Sequence, residues 1–109
     1  MEILRTRRFM KDMKRLGASE ADIEHLEQRI ASAPSSGSVI PGFGGLRKLR
    51  FQFGNRGKRG GGRVIYFLII EDDLAVLLFA YSKSIQEDLT QEEKKSALQM
   101  MQEIKRGKA

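Results

Sequence analysis

Two apolar runs, RVIYFLII and LAVLLFAY, flank the acidic tripeptide at positions 71–73. Each is rich in β-branched and aromatic residues and is apolar on both faces, which suits strands at the centre of a sheet. A turn this short makes the two strands antiparallel neighbours. Strands that are greasy on both sides need cover on at least one side, and helices are the available material. The rest of the chain must therefore supply those helices.

It does so at both ends. Residues 7–16 put Phe9, Met13 and Leu16 on one helical face, and Gly17 follows as a C-terminal cap residue. Ser19, with Asp22 three residues on, starts a second helix with the stripe Ile23, Leu26 and Ile30, and Pro34 lies just beyond its end. Residues 2–5 are short enough for an opening strand. The connection PSSGSVIPGFGG, with two prolines and four glycines, reads as turns. Strands are expected over 46–53, 62–70 and 74–82. Thr90 and Glu93 form a capping box for a last helix with inner face Ala97, Met101 and Ile104. The expectation is an α+β fold: a small antiparallel sheet with two N-terminal helices and a C-terminal helix, one domain over residues 1–109.

Charge is distributed unevenly over this framework. Residues 42–66 hold seven Lys/Arg and no acid, and no acid occurs anywhere from 28 to 70. Clustered like charge repels itself and favours an oppositely charged partner. LRKLRFQF alternates as a strand does, so Lys48, Arg50 and Gln52 share one face while Leu49, Phe51 and Phe53 share the other. Arg63 heads the next strand and Lys83 ends the last, and in an antiparallel pair those ends meet. The four cations Lys48, Arg50, Arg63 and Lys83 should gather at one exposed end of the sheet. A net charge of +6 and a pI near 9.9 agree with a nucleic-acid partner.

Composition narrows the remaining classes. There are no cysteines, which excludes disulfides and thiolate metal sites and suits a cytoplasmic protein. The longest apolar runs are too short to span a bilayer, no signal-peptide core is visible, and no long basic amphipathic helix points to a membrane surface. No metal or organic cofactor is called for. Arginines can grip two phosphate oxygens at once, and a lysine among cations has its charged form disfavoured and can share in proton transfer. RNA brings its own nucleophile, the 2′-hydroxyl. Composition alone still favours a face that binds backbone phosphates without cleaving them.

Three blocks, VIPGFGGLRKLRF, GNRGKRGGGRVIYF and LLFAYSKSIQEDLTQEEK, resemble the RelE/HigB family of toxins from bacterial type II toxin–antitoxin modules. The resemblance runs over nearly the whole chain. It implies a microbial-RNase-like α+β fold and a ribosome-dependent mRNA endoribonuclease, acting in the ribosomal A site without a metal. Cleavage would proceed by 2′-hydroxyl attack, leaving a cyclic phosphate. It also implies contact with rRNA, and a cognate antitoxin that commonly carries a helix-turn-helix domain. On the family's pattern Arg63 falls at the transition-state-stabilising arginine. Lys48 and Arg50 fall at a basic pair serving charge stabilisation and proton transfer, and Lys83 at the basic residue after the last strand. Arg47, Lys58, Arg59, Tyr66 and Tyr81 are then the candidates for RNA contact.

The chain departs from that pattern in two places. Thr90 stands where relatives often carry a substrate-stacking tyrosine, and the sole histidine, His25, lies in the second helix rather than near the cations. His25 reads as a helix-surface residue, since it lacks ligand or triad partners. The glycines match neither a P-loop nor a dinucleotide fingerprint. The acidic triplet reads as solvated, the methionines as packing, and Tyr66 and Tyr81 equally as strand core. The alternatives are a non-catalytic RNA- or ribosome-binding (degenerate) toxin and, from another class, a DNA-binding regulator. No recognition helix supports the latter.

Overall fold

The computed structural model describes residues 1–54 and 61–108. Its sheet runs β1-β5-β4-β3-β2, with β1 at Glu2–Arg5, β2 at Ser38–Val39, β3 at Arg47–Phe51, β4 at Gly62–Ile69 and β5 at Leu74–Ser82. The helices are α1 (Arg7–Leu16), α2 (Glu20–Ser32) and α3 (Gln91–Lys108). The expected α+β class is found, with one refinement: β1 lies parallel to β5 along the sheet edge, while every other pairing is antiparallel.

Both faces of the two central strands are covered. On one, Phe9 and Met13 of α1 and Ile23, Leu26 and Ile30 of α2 pack on Leu49, Phe51, Val64, Tyr66, Ala75 and Leu77. On the other, Ala97 and Met101 of α3 pack with Ile65, Phe67, Val76 and Leu78. Continuous apolar strands are the sequence counterpart of a sheet sandwiched in this way.

Capping follows the expected chemistry. Gly17 takes a φ of 82°, which glycine adopts without a Cβ penalty, and closes α1. Ser19 and Asp22 form a reciprocal capping box at α2, with Ser19 N donating to Asp22 Oδ2 at 2.8 Å and Asp22 N to Ser19 Oγ at 3.1 Å. At α3, Thr90 and Glu93 do the same at 2.9 and 3.0 Å.

Three boundaries differ from the sequence expectation. β3 ends at Phe51, because β4 begins opposite it at Gly62 and Gly54 N then donates to the Asp22 carboxylate at 3.2 Å. The chain is thereby drawn toward α2. Ile70 leaves β4 for a 3₁₀ turn closed by Asp73 at φ 51°, a conformation that Asp tolerates better than most residues. Ser38 and Val39, read as loop, add a two-residue edge strand on β3.

β5 continues past the end of β1, so part of its edge lacks a strand partner. Thr6 Oγ1 donates to the Leu77 carbonyl at 2.8 Å, and buried Asp12 accepts the Ala80 N–H at 3.0 Å. The first helix thus completes the hydrogen bonding of the strand it covers. No helix among the described residues is long and apolar enough to cross a membrane.

Candidate active site

The side that each strand residue faces is set by a bulge. Alternation is unbroken through β4, so Val64 and Tyr66 face α1 and α2 while Ile65 and Phe67 face α3. In β5 the register jumps: Ile65 pairs with Phe79 but Tyr66 pairs with Leu77, leaving Leu78 without a partner on β4. Leu78 and Phe79 therefore both face α3. Without this extra residue, Tyr81 would point to the α1/α2 side, since strict alternation from Leu74 puts odd positions there. The bulge turns the end of β5 over and puts Tyr81 on the same sheet face as the cations.

The pairing Arg50↔Arg63↔Tyr81 forms one row across three strands, with neighbours about 5 Å apart. Lys48 lies two residues along β3 from Arg50, on the same face. Lys83 is fixed at the open end by its N–H, which donates to Gly61 O at 3.2 Å. Lys48, Arg50, Arg63 and Lys83 line one open cleft of about 370 Å³ together with Ser38 and Glu87. Arg63 is 7% exposed at its base and donates through Nη1 to the Gly62 carbonyl at 3.1 Å. Arg50 stands exposed at the rim. Residue 62 is glycine where the Phe51 ring of β3 lies over the start of β4: a Cβ there would lie 2.4–2.9 Å from that ring.

Besides Glu87 in the lining, a second acid, Asp88, pairs with one of the cations. Asp88 Oδ1 sits 3.2 Å from Lys48 Nζ and accepts the Leu89 N–H at 2.8 Å. Partial burial pushes the Asp88 carboxyl up, but the Leu89 N–H and the Lys48 ammonium outweigh it and hold the group below the usual carboxylate range. Tyr81 shows the opposite balance. Burial, aided by Asp88 and Glu93 and opposed by Arg63, pushes its hydroxyl up to about 12. That hydroxyl is buried without a hydrogen-bond partner among the described residues.

The structure separates the remaining candidates from the cleft. The Arg47 guanidinium is turned to the edge connection, donating to Ser35 O at 3.1 Å and Gly37 O at 2.8 Å. Tyr66 is fully buried on the α1/α2 side; its hydroxyl donates to Pro34 O at 2.7 Å and accepts the Gly37 N–H at 3.0 Å. Both residues brace the chain before β2. Lys58 and Arg59 lie outside the described residues. His25 is exposed on α2, across the sheet from the cations, and Thr90 caps α3. The sequence reading passed over Glu87, Asp88 and Ser38. An available signal was the acidic pair between Lys83 and the α3 capping box, the first acids in the chain after the turn at 71–73.

Four guanidinium and ammonium groups around a cleft of this size can hold a phosphodiester and offset charge that develops on it. Among the described residues, no group of three or more His, Cys, Asp or Glu is placed to hold a metal ion.

Comparison with known proteins follows the same line. A family model described as the RelE toxin of the RelE/RelB toxin–antitoxin system matches residues 1–108. Among solved structures, the chain is similar to the Escherichia coli toxin RelE, determined in the free state as a double arginine-to-alanine mutant. That match has a TM-score of 0.55 at 14% identity and covers 79% of this chain and 86% of that one.

Proposed function

Because this chain belongs to the RelE toxin family of toxin–antitoxin systems, we propose that it is a ribosome-dependent mRNA endoribonuclease. The observation that carries this reading is the convergence of Lys48, Arg50, Arg63 and Lys83 on one cleft, with Arg63 held almost buried at its base.

In the proposed reaction the substrate 2′-oxygen attacks the adjacent phosphorus and the bond to the 5′-oxygen breaks, giving a 2′,3′-cyclic phosphate and a 5′-hydroxyl. The proton leaves the 2′-hydroxyl and an equivalent proton is delivered to the departing 5′-oxygen. Arg63 grips the non-bridging oxygens, where charge builds up in the transition state. Arg50 and Lys83 flank it and neutralise the phosphates entering and leaving the cleft. Lys48, as an ammonium, is placed to give the proton that the departing 5′-oxygen takes up, and the proton lost by the 2′-hydroxyl passes to solvent water. Neither a metal ion nor an organic cofactor has a part in this scheme. Lys58 and Arg59 are assigned to contacts with the rRNA or mRNA backbone, while Arg47 and Tyr66 are assigned to the fold. The proposed partners are the ribosome with mRNA in its A site and a cognate antitoxin carrying a helix-turn-helix domain.

Induction of the chain in a bacterial host, with 5′-end mapping of mRNA, tests this directly. Wild type should arrest growth and cut within codons in frame. Arg63→Ala should abolish both while ribosome association stays within a few-fold. A second reading, a toxin that binds without cleaving, draws on the Tyr81 hydroxyl, whose ionisation burial disfavours further, and on the place of His25 on α2, across the sheet from the cleft. Arrest without cleavage, with binding and arrest weakened in proportion, would establish that reading instead.

A further inference from the structure

We propose that Asp88 is a positioning residue for Lys48, holding its ammonium in the cleft through a hydrogen-bond chain anchored in the N-terminal cap of α3. The inference rests on the endoribonuclease reading above.

Lys48 shares its cleft with three cations, Arg50, Arg63 and Lys83, and one acid, Glu87. Repulsion from three cations, acting on a side chain with four rotatable bonds, would drive an unanchored ammonium out toward water. Asp88 opposes this from 3.2 Å, and Asp88 is itself held in place. Its carboxylate takes the Leu89 N–H at 2.8 Å, and the Leu89 side chain is buried in the core beneath α3. The Asp88 carbonyl accepts from Gln86 Nε2 at 2.9 Å, and the same amide donates to Glu93 Oε1 at 3.1 Å. Glu93 in turn closes the capping box with Thr90. A continuous set of hydrogen bonds thus runs from the first turn of α3 to the ammonium on β3.

The pair is half open to water, with Asp88 51% and Lys48 31% exposed. Exposed ion pairs contribute little to stability, so what this one supplies is geometry. An ammonium has three donors. With one engaged by Asp88, two remain for a phosphate oxygen and for the departing oxygen. Asp88 acts through Lys48 and does not itself face the scissile bond. Its negative charge also weakens phosphate binding, so its loss should slow the reaction without loosening the substrate.

The test is single-turnover cleavage of mRNA on programmed ribosomes by wild type, Asp88→Asn, Asp88→Glu, Lys48→Met and the Asp88→Asn/Lys48→Met double variant. Affinity is measured in parallel on mRNA carrying a 2′-deoxy residue at the scissile position. Asp88→Asn should slow cleavage roughly 10- to 100-fold, the scale of a misplaced reacting group, with binding equal or tighter and thermal unfolding unchanged. Asp88→Glu should restore much of the rate. In the Lys48→Met background, Asp88→Asn should add less than about a twofold loss, because residues acting as a unit are non-additive. Equal losses in both backgrounds, or no loss in Asp88→Asn, would overturn the inference and leave the endoribonuclease reading standing. Folded wild type that binds ribosomes but cuts no mRNA would overturn both.

Discussion

Two buried polar side chains test opposite sides of the same rule. Asp12 is 2% exposed and accepts from the buried Ala80 N–H at 3.0 Å, as well as from Arg8 and Arg15 at 3.2 Å. The arginines are 45% and 72% exposed, so they can turn to water and their ion pairs count for little. The Ala80 N–H cannot turn away. Asp12→Ala should therefore cost about 2–3 kcal/mol, the price of an orphaned buried donor, while Asp12→Asn, which keeps an acceptor, should cost less; the urea midpoint reads both. Tyr81 is the reverse case, a buried hydroxyl with no partner among the described residues. Tyr81→Phe should leave stability unchanged or raise it by about 1 kcal/mol. Its acidity gives an independent check. The hydroxyl ionises near 10 when free and at about 12 in the fold, so the unfolded chain loses the proton first. Its titration therefore leaves stability untouched below pH 10 and lowers it progressively as pH rises toward 12. In Tyr81→Phe that alkaline loss should shrink.

At the scale of elements, the caps carry the acid sensitivity. Asp22 is held below the usual aspartate range, first by the Ser19 N–H and then by Gly54. Glu93 is pushed up by burial, but the Thr90 N–H and Gln86 outweigh that and hold it low. Each carboxylate stabilises the fold above its ordinary range and ceases to do so as pH falls through the depressed folded value. Helix content should therefore begin to drop below about pH 4, and Asp22→Asn should flatten that slope. At neutral pH, Thr90→Ala should cost about 1 kcal/mol. These caps were legible because a capping box is local: Ser19 with Asp22, and Thr90 with Glu93, need no knowledge of the tertiary fold. The central strands were legible because their apolar runs have one use, and the four cations because each stands at a strand end or on an alternating face. What stayed hidden depended on pairing. The parallel β1 edge, the β2 strand and the bulge at Leu78 are choices of register that leave no local pattern. The bulge matters most, since the face presented by Tyr81 depends on it. Asp88 was missed for a related reason: it becomes a neighbour of Lys48 only when α3 folds back across the sheet.

The whole molecule carries a net charge of +6, and its cations occupy both sides of the sheet. Lys48, Arg50, Arg63 and Lys83 share the cleft on the α3 side, while Arg7, Lys11 and Lys14 are exposed on α1, across the sheet. Net charge alone would let RNA bind either surface, and ionic strength tells them apart. For a single strand, log K falls with log salt by about 0.7 for each phosphate neutralised. Four cleft contacts therefore give a slope of about −3. Arg50→Ala removes an exposed cleft cation and should make the slope shallower by about 0.7, whereas Lys14→Ala should leave it unchanged. Fluorescence anisotropy of a 2′-deoxy oligonucleotide in stepped potassium chloride measures both. Equal shifts in the two variants would mean that RNA wraps both faces and that the cleft does not dominate binding. A shift confined to Arg50→Ala would tie affinity to the cleft that holds Arg63, as an enzyme requires if bound RNA is to lie where phosphoryl charge can be stabilised. The folded sheet, by fixing which cations share a face, would then decide where a uniformly attracted polyanion comes to rest.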